Sequence, residues 1–246
     1  GKQNEIYRYN EQTGNFDLYY QLPRKSLEIC CMHLDKGQMW IGTTTDGAYR
    51  LQLDKNELTH PILKGNITSI YQDSEGELWI GSWEEGLHHV KTDGTIEIFE
   101  YDAKNPYSIS SNFVRACCED NLGNIWIGTF NGLNRYDKST GLFQNHTASD
   151  AQSDGLTHSS IWCIVKDNQG TLWLGTYFGG VNYFNPEYEI YSRYMYSPIE
   201  KKGLSNPVVG RTIEDKDGNL WIGTEGGGLN YYNRRTREFK WFRPEI

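Results

Sequence analysis

The chain has 246 residues, of which 37% are hydrophobic and 14% aromatic; this suffices for the core of one or two domains and excludes a largely disordered chain. Its 24 basic and 32 acidic residues give a net charge of -8, which makes nucleic acid an unfavourable partner. No run of about eighteen apolar residues is present, so neither a membrane-spanning helix nor a signal peptide is predicted.

The chain opens on two predicted strands. Residues 6–16, IYRYNEQTGNF, align with residues 133–143, LNRYDKSTGLF, which belong to a unit that recurs along the chain. We therefore interpret residues 1–22 as the C-terminal half of such a unit. Two strands without the other half expose an edge, which natural proteins rarely leave unguarded. We thus expect the chain to be a sector of a longer repeat array.

From residue 23 to residue 246 the unit recurs five times. Each copy is centred on a tryptophan that is followed by Ile-Gly-Thr or a close variant, and successive tryptophans are 39, 47, 47 and 48 residues apart. The five are Trp40, Trp79, Trp126, Trp173 and Trp221. A period of this size is typical of solenoids, propellers and repeat arrays.

Each unit is predicted to contain four strands. A short run with alternating apolar residues, such as ITSIYQD or IWCIVKD, ends at an aspartate six residues before the tryptophan, and a glycine follows this aspartate by three residues. These two residue types at this spacing are typical of a hairpin turn. The first unit is one residue shorter between Asp35 and its tryptophan. Two more strands follow, joined by a turn such as STG.

Four antiparallel strands in a unit of about 47 residues are typical of a β-propeller blade. The predicted fold is therefore all-β, with residues 23–246 forming five consecutive blades of one propeller domain. The faces of a blade are covered only by its neighbours, so each motif tryptophan is expected to pack between blades. Such a tryptophan buries about 150–250 Å², which stabilises the fold by about 4–6 kcal/mol before opposing terms.

The motif D-x-x-G-x-[IL]-W-[IL]-G-T, followed by G-L-N-x-Y and T-G and preceded by NPYSISSNFV or GLSNPVV, resembles the two-component regulator propeller repeats. This resemblance covers essentially the whole chain. It implies a periplasmic, ligand-sensing part of an inner-membrane hybrid two-component regulator of the Bacteroidetes. In such a parent chain two seven-bladed propellers precede an immunoglobulin-like module, a membrane helix, a histidine kinase and a response regulator. It also implies a homodimer, partner blades from the parent chain, and an oligosaccharide ligand that switches on polysaccharide utilisation.

A ligand site is sought where equivalent positions differ between units, because shared residues hold the fold. Four residues after the motif tryptophan, three consecutive units carry an aromatic, namely Trp83, Phe130 and Tyr177. Five or four residues before the turn aspartate, the innermost strands carry Arg115, Trp162 and Arg211. Both sets are expected at the same end of the propeller. Aromatic faces match the C–H faces of sugars and arginine binds carboxylate or sulfate, so the six residues suit an oligosaccharide, including an acidic one.

Other interpretations stay open on the sequence alone. The three aromatics could instead pack between blades or against a partner propeller, while the two arginines pair with Asp or Glu. A protein-interaction or dimerisation scaffold would use the same aromatic rim. A propeller lyase or glycosidase would need converging acid and base groups, which no motif supplies. No enzymatic activity and no catalytic residue are therefore predicted.

No cofactor and no metal site are predicted. The five cysteines, at positions 30, 31, 117, 118 and 163, include no C-x-x-C pair, and their odd number argues against a disulfide framework. They are interpreted as buried strand thiols. His88 and His89 are neighbours in a predicted strand, so they point to opposite faces. Residues 215–221, DKDGNLW, lack the glutamate spacing of a calcium loop.

Overall fold

The computed structural model of the chain describes residues 4–59, 61–148, 155–187 and 190–243. In these ranges the regular structure consists of 22 strands and one short 3-10 turn at Glu200–Lys202. None of the helical structure in the described residues is long and apolar enough to cross a membrane. The predicted all-β class is therefore confirmed.

The strands form one hairpin and five four-stranded sheets. The hairpin consists of β1 (Glu5–Asn10) and β2 (Asn15–Gln21). Blade 1 contains β3 (Ile29–Asp35), β4 (Gln38–Thr43), β5 (Gly47–Gln52) and β6 (Glu57–Leu58). Blade 2 contains β7 (Ile67–Gln72), β8 (Leu78–Ser82), β9 (Leu87–Val90) and β10 (Ile96–Phe99).

The remaining three blades repeat this pattern. Blade 3 contains β11 (Val114–Glu119), β12 (Ile125–Thr129), β13 (Gly132–Asp137) and β14 (Leu142–His146). Blade 4 contains β15 (Ile161–Lys166), β16 (Leu172–Thr176), β17 (Val181–Asn185) and β18 (Ile190–Tyr194). Blade 5 contains β19 (Val209–Glu214), β20 (Leu220–Thr224), β21 (Gly228–Asn233) and β22 (Glu238–Phe242).

Within every blade the strands follow chain order, and each is antiparallel to the next. The first strands of successive blades, which we call the inner strands, contact one another in the order β3, β7, β11, β15 and β19. The five blades thus stand in a ring around an axis, as predicted for a β-propeller. Whether further blades extend this ring stays a prediction.

The motif tryptophans pack between neighbouring blades, as expected. Trp79 of blade 2 is fully buried and shares a core with Tyr136 and Phe143 of blade 3. Trp126 of blade 3 meets the Phe184 ring of blade 4 at a centroid distance of 4.8 Å. Blades 1 to 4 therefore bury their tryptophan faces against the blade that follows in the chain.

The aspartate turn bonds to the motif tryptophan as well as to the backbone. In blade 2, Asp73 Oδ1 accepts the backbone N–H groups of Glu75 and Glu77, and Oδ2 accepts the Trp79 indole N–H at 2.9 Å. Gly76 has a φ of 85°, which a residue with a side chain rarely adopts. The bond to the indole was not predicted from the sequence. It ties the turn to the inter-blade core.

The first blade lacks this arrangement. Its shorter turn has positive φ at both Lys36 and Gly37, and among the described residues the buried indole nitrogen of Trp40 has no hydrogen-bond partner. Arg50 instead lies over the Trp40 ring, 5.7 Å from its centroid. The one-residue deletion noticed in the sequence thus removes the aspartate bond from this blade.

Two of the turn aspartates also receive a cation from the next blade. Lys138 Nζ of blade 3 lies 2.9 Å from Asp73 Oδ2, and Arg234 of blade 5 pairs with Asp167 of blade 4. Burial alone would raise the pKa of Asp73, but hydrogen bonds from the Trp79 indole and from Lys138 outweigh it and lower this pKa. These bonds lie at one end of the axis, which we call the turn end.

The two ends of the blade series differ from its middle. The β1–β2 hairpin packs on blade 1 through Ile6, but Phe16 of this hairpin remains 69% exposed. In blade 5, Ile213 is 64% exposed. The outermost sheet faces are thus less covered than those of blades 2 to 4.

Candidate functional site

Each inner strand carries a β-bulge at the same position. The pairing to the second strand slips between residues 29 and 31, 67 and 69, 114 and 116, 161 and 163, and 209 and 211. The extra residues, which we call the bulge residues, are Cys30, Thr68, Arg115, Trp162 and Gly210. A bulge redirects the side chain of its extra residue and is common next to functional sites.

All five bulge residues line one pocket of about 300 Å³, which we call the axial pocket. Its other lining residues are Asn66, Ile67, Trp83 and Arg211. A second cavity of about 310 Å³ shares Arg115 and Arg211 with it and is also lined by Cys31, Ser69 and Cys163, the residues that follow three of the bulge residues. The bulge residues and the residues that follow them, which vary from blade to blade, therefore surround the axis.

The loop after the second strand lies beside the segment that enters the inner strand, as predicted. The backbone N–H of Trp83 donates to Asn66 O at 2.9 Å, and that of Tyr177 donates to Ser160 O at 3.0 Å. Phe130 N–H donates to Phe113 O in the same way. The three aromatics therefore stand at the same end of the axis as the axial pocket, which we call the rim end.

Arg115 is surrounded by aromatic rings. Its guanidinium carbon lies 4.0 Å from the ring centroid of Trp162, 5.3 Å from that of Trp83 and 5.5 Å from that of Phe130. Only 8% of the residue is exposed, and this burial lowers the pKa of the guanidinium. These contacts join three neighbouring blades.

The charge of Arg115 is not neutralised within the described part of the chain. Its Nε and Nη1 atoms are buried without a hydrogen-bond partner, and it forms no ion pair with any described carboxylate. Among the described residues, Arg115 therefore does not make the pairing with Asp or Glu that the sequence-based alternative assumed. An uncompensated buried charge is unfavourable, and an incoming anion would relieve it.

Arg211 lies on the other side of the axial pocket and is exposed. It, too, has no ion pair with a described carboxylate. The bulge residue before it, Gly210, has no side chain, and a Cβ there would meet only the carbonyl oxygen of Gly223 at 3.7 Å. The pocket wall is thus open over Arg211, where a ligand group has room.

The six predicted site residues take three different places. Trp83, Arg115, Trp162 and Arg211 line the axial pocket. Phe130 is 54% exposed and flanks Arg115 from the rim. Tyr177 stacks on Trp162, with ring centroids 5.5 Å apart and planes 13° apart. It therefore contacts a residue that lines the pocket without lining the pocket itself.

The sequence analysis missed Cys30, Thr68 and Gly210 as pocket residues. They occupy the same aligned position as Arg115 and Trp162, so extending the prediction to this position in every blade would have identified them. The interpretation of all cysteines as buried thiols also needs correction. Cys117, Cys118 and Cys163 are buried, whereas Cys30 and Cys31 are half-buried and face the axis, because the bulge turns this part of β3 inward.

The thiols differ in acidity. The sulfurs of Cys30 and Cys31 are 4.0 Å apart. The hydrogen bond between them lowers the pKa of Cys30 and raises that of Cys31, and the positive charge of Arg211 adds to the lowering at Cys30. Burial raises the pKa of Cys118 to about 11. Arg211 thus makes this side of the axis electropositive.

The clustered carboxylates of the described residues lie at the opposite end of the axis. Asp73, Glu75 and Glu77 approach one another at the blade 2 turn. Lys138 Nζ already lies among them, at 2.9 Å from Asp73 and 2.8 Å from Glu75. This group is an inter-blade ion-pair network, and the axial pocket is the better candidate for ligand binding.

The family model of the two-component regulator propeller matches residues 61–84, 108–131, 155–178 and 203–226. Each matched segment contains one bulge residue and the rim residue four positions after the motif tryptophan. No curated protein matches the chain in sequence.

Several solved structures have a similar fold. The extracellular domain of a putative hybrid two-component system from B. thetaiotaomicron has a TM-score of 0.75 at 23% identity, and the match covers 94% of this chain and 31% of that one. A second such domain from the same organism has a TM-score of 0.59 at 22% identity, over 98% of this chain and 40% of that one. The chain thus spans less than half of either domain.

An enzyme also has this fold. Virginiamycin B lyase from Staphylococcus aureus has a TM-score of 0.68 at 13% identity, and the match covers 91% of this chain and 72% of the lyase. At this identity the likeness concerns the fold alone.

Proposed function

The chain carries two-component regulator propeller repeats, and on this premise we propose that it is a ligand-sensing part of the extracytoplasmic, periplasmic region of a membrane-anchored hybrid regulator. The proposed ligand is an oligosaccharide, and the proposed output is control of polysaccharide utilisation through a histidine kinase elsewhere in the parent protein. The role of this region is binding and not catalysis.

One observation carries the proposal: the bulge position, which differs in every blade, lines one pocket in all five. The bulge residues of five blades and the rim residue Trp83 line the same cavity of about 300 Å³. This volume is at the lower end of the usual range for small-molecule sites. Residues needed only for packing would have no reason to differ at this one position in every blade.

The chemistry of the pocket suits a sugar. Trp83 is 38% exposed and presents ring surface to a ligand, whereas the Trp162 ring is stacked against Arg115 and Tyr177. Aromatic faces bind the C–H faces of sugar rings. The side chains of Asn66 and Thr68 add polar groups that can bond to sugar hydroxyls. This combination of apolar faces and a few polar groups is typical of binding pockets with defined ligand orientation.

Signalling requires that the ligand favour one arrangement of the sensor over another. A ligand in the axial pocket contacts several blades at once, so its binding energy depends on how those blades are placed. In a homodimeric parent protein, a shift in blade placement would change the relative position of the two sensor chains and hence of their kinases.

The test is a calorimetric and thermal-shift screen of the chain against neutral, uronic and sulfated oligosaccharides. A ligand at a hundredfold excess over its Kd stabilises the fold by about 2.7 kcal/mol. Binding should weaken at least tenfold in Trp83→Ala and remain unchanged in Leu122→Ala, a matched change of an exposed side chain at the turn end. Absence of binding to every oligosaccharide would refute the proposal.

A second candidate function is a protein-interaction scaffold. It is favoured by Phe130 and Phe178, which are 54% and 55% exposed near the same rim. Sedimentation of the chain at several concentrations tests it. Self-association that disappears in Phe130→Ala with an unchanged melting temperature would support the scaffold, and a monomer at all concentrations would refute self-association through the rim.

A further inference from the structure

The axial pocket has an excess of positive charge, although the chain as a whole is acidic. Among the described residues, its lining includes two arginines and no carboxylate. Lys91, Lys138 and Arg234, in contrast, each pair with an acid. A chain of net charge -8 that leaves two guanidinium groups unpaired around one cavity has a local charge that an anion would neutralise.

The side chains of the two arginines differ in their freedom to move. Arg115 is held by three aromatic rings and is fixed in place, so its charge is preorganised. Arg211 is exposed and can adjust to a ligand. Between them, the missing side chain at Gly210 leaves the pocket wall open.

From this geometry we infer that the ligand carries an acid group, a carboxylate or a sulfate, which occupies the gap over Gly210 and pairs with Arg211 in the field of Arg115. This inference rests on the proposed sensing function and narrows its ligand to acidic oligosaccharides. The sugar ring that bears the acid group lies against Trp83, whose ring is partly exposed. Arginine binds both kinds of acid group through paired N–H donors.

The experiment compares matched ligands by calorimetry with the complete 246-residue chain. The probes are uronic and sulfated oligosaccharides, the same uronic oligosaccharides with the carboxyl reduced to a hydroxymethyl group, desulfated forms, and inorganic sulfate alone. We expect an acidic oligosaccharide to bind and its neutral counterpart to bind at least tenfold more weakly. Affinity should also fall as ionic strength rises.

The other outcomes separate failure of the acid-group inference from failure of the proposed sensing function. If neutral and acidic forms bind equally, the acid group is unnecessary and the inference fails while the sensing function stands. If no oligosaccharide binds, the proposed function fails and the inference fails with it. If inorganic sulfate binds as tightly as the sulfated oligosaccharide, the pocket is an anion site without sugar recognition, and the inference is likewise overturned.

Two variants locate the acid group. Arg211→Gln should weaken binding of the acidic ligand at least tenfold and leave binding of a neutral counterpart unchanged. Arg235→Gln, an exposed arginine outside the pocket, is the control and should bind as the parent chain does. Unchanged affinity in Arg211→Gln would overturn the placement.

The Gly210→Leu variant fills the gap itself. A Cβ at this position meets the carbonyl oxygen of Gly223 at 3.7 Å, which is ordinary contact, and we expect the melting temperature to stay within a few degrees of that of the parent. Binding of the acidic ligand should be lost. Normal binding in a folded Gly210→Leu protein would show that the ligand lies elsewhere.

Discussion

The turn end and the rim end of this propeller differ in how much their residues vary from blade to blade. At the turn end, blades 2 to 5 repeat one arrangement, in which an aspartate accepts the indole N–H of its own motif tryptophan. At the rim end the inner strands of all five blades present different bulge residues, with cysteine, threonine, arginine, tryptophan and glycine at one position. Repetition fixes the backbone at one end, and this leaves side chains at the other end free to serve binding.

The two ends also differ in how completely their polar groups are bonded. The Asp73 carboxylate has four donors, from Trp79, Lys138 and two backbone amides. Arg115 is similarly buried, yet its Nε and Nη1 donors have no acceptor among the described residues. Changes at the turn end should therefore reduce stability, and changes at the rim end should reduce ligand binding.

The largest effect is expected for Trp79→Ala. The side chain is fully buried between two blades, and its loss leaves a cavity and removes one of the two donors to Asp73 Oδ2. We expect the free energy of unfolding to fall by about 3–5 kcal/mol, measured by urea denaturation followed by circular dichroism. Trp83→Ala at the rim should change it by less than about 1 kcal/mol. Equal losses of stability in the two variants would show that the rim end stabilises the fold as much as the inter-blade core does.

A somewhat smaller loss is expected for Asp73→Ala. This change removes the acceptor of the Trp79 indole and of two backbone amides and leaves Lys138 with fewer acidic partners, so we expect a loss of about 2–3 kcal/mol. The control is Asp35→Ala in blade 1, where the aspartate does not bond to the tryptophan. Its effect should stay within about 0.5 kcal/mol in the same denaturation experiment.

The contribution of Asp73 should depend on pH. Its pKa is lower in the folded chain than the ordinary value of about 3.9. The stability that this ionised carboxylate provides is therefore fully present above pH of about 4 and is lost as the pH falls through the lower, folded pKa. The difference in unfolding free energy between the parent chain and Asp73→Asn should shrink as the pH falls below about 4. A constant difference would show that ionisation of Asp73 is irrelevant.

The smallest effect on stability is expected for Arg115→Met. The change removes an unpaired buried charge and keeps most of the apolar contact with Trp83 and Trp162, so the unfolding free energy should change by less than about 1 kcal/mol. Binding of an acidic oligosaccharide should be lost in the calorimetric assay. Loss of several kcal/mol of stability would mean that the three cation–π contacts hold the rim together.

The fold could be predicted because its determinants are local and repeated. The tryptophan spacing gave the blade length, and the aspartate and glycine gave the turn. Comparing blades selected four of the residues that line the axial pocket but not the bulge residues Cys30, Thr68 and Gly210. The geometry of the pocket could not be predicted, because a bulge depends on how two strands slip along each other and is occupied here by five different residue types. The ion pairs of Lys138 and Arg234 were also missed, since they join residues 65 and 67 positions apart in neighbouring blades.

The bulges have a consequence for how such a protein can evolve. Each one directs a single residue of its blade toward the axis through the same backbone geometry, while the core of the blade lies elsewhere. Unequal crossing-over between repeats, or exchange of one repeat with a related gene, would thus deliver a new side chain to the pocket already correctly oriented. Specificity in this architecture can be inherited one repeat at a time, without compensating change in the interior.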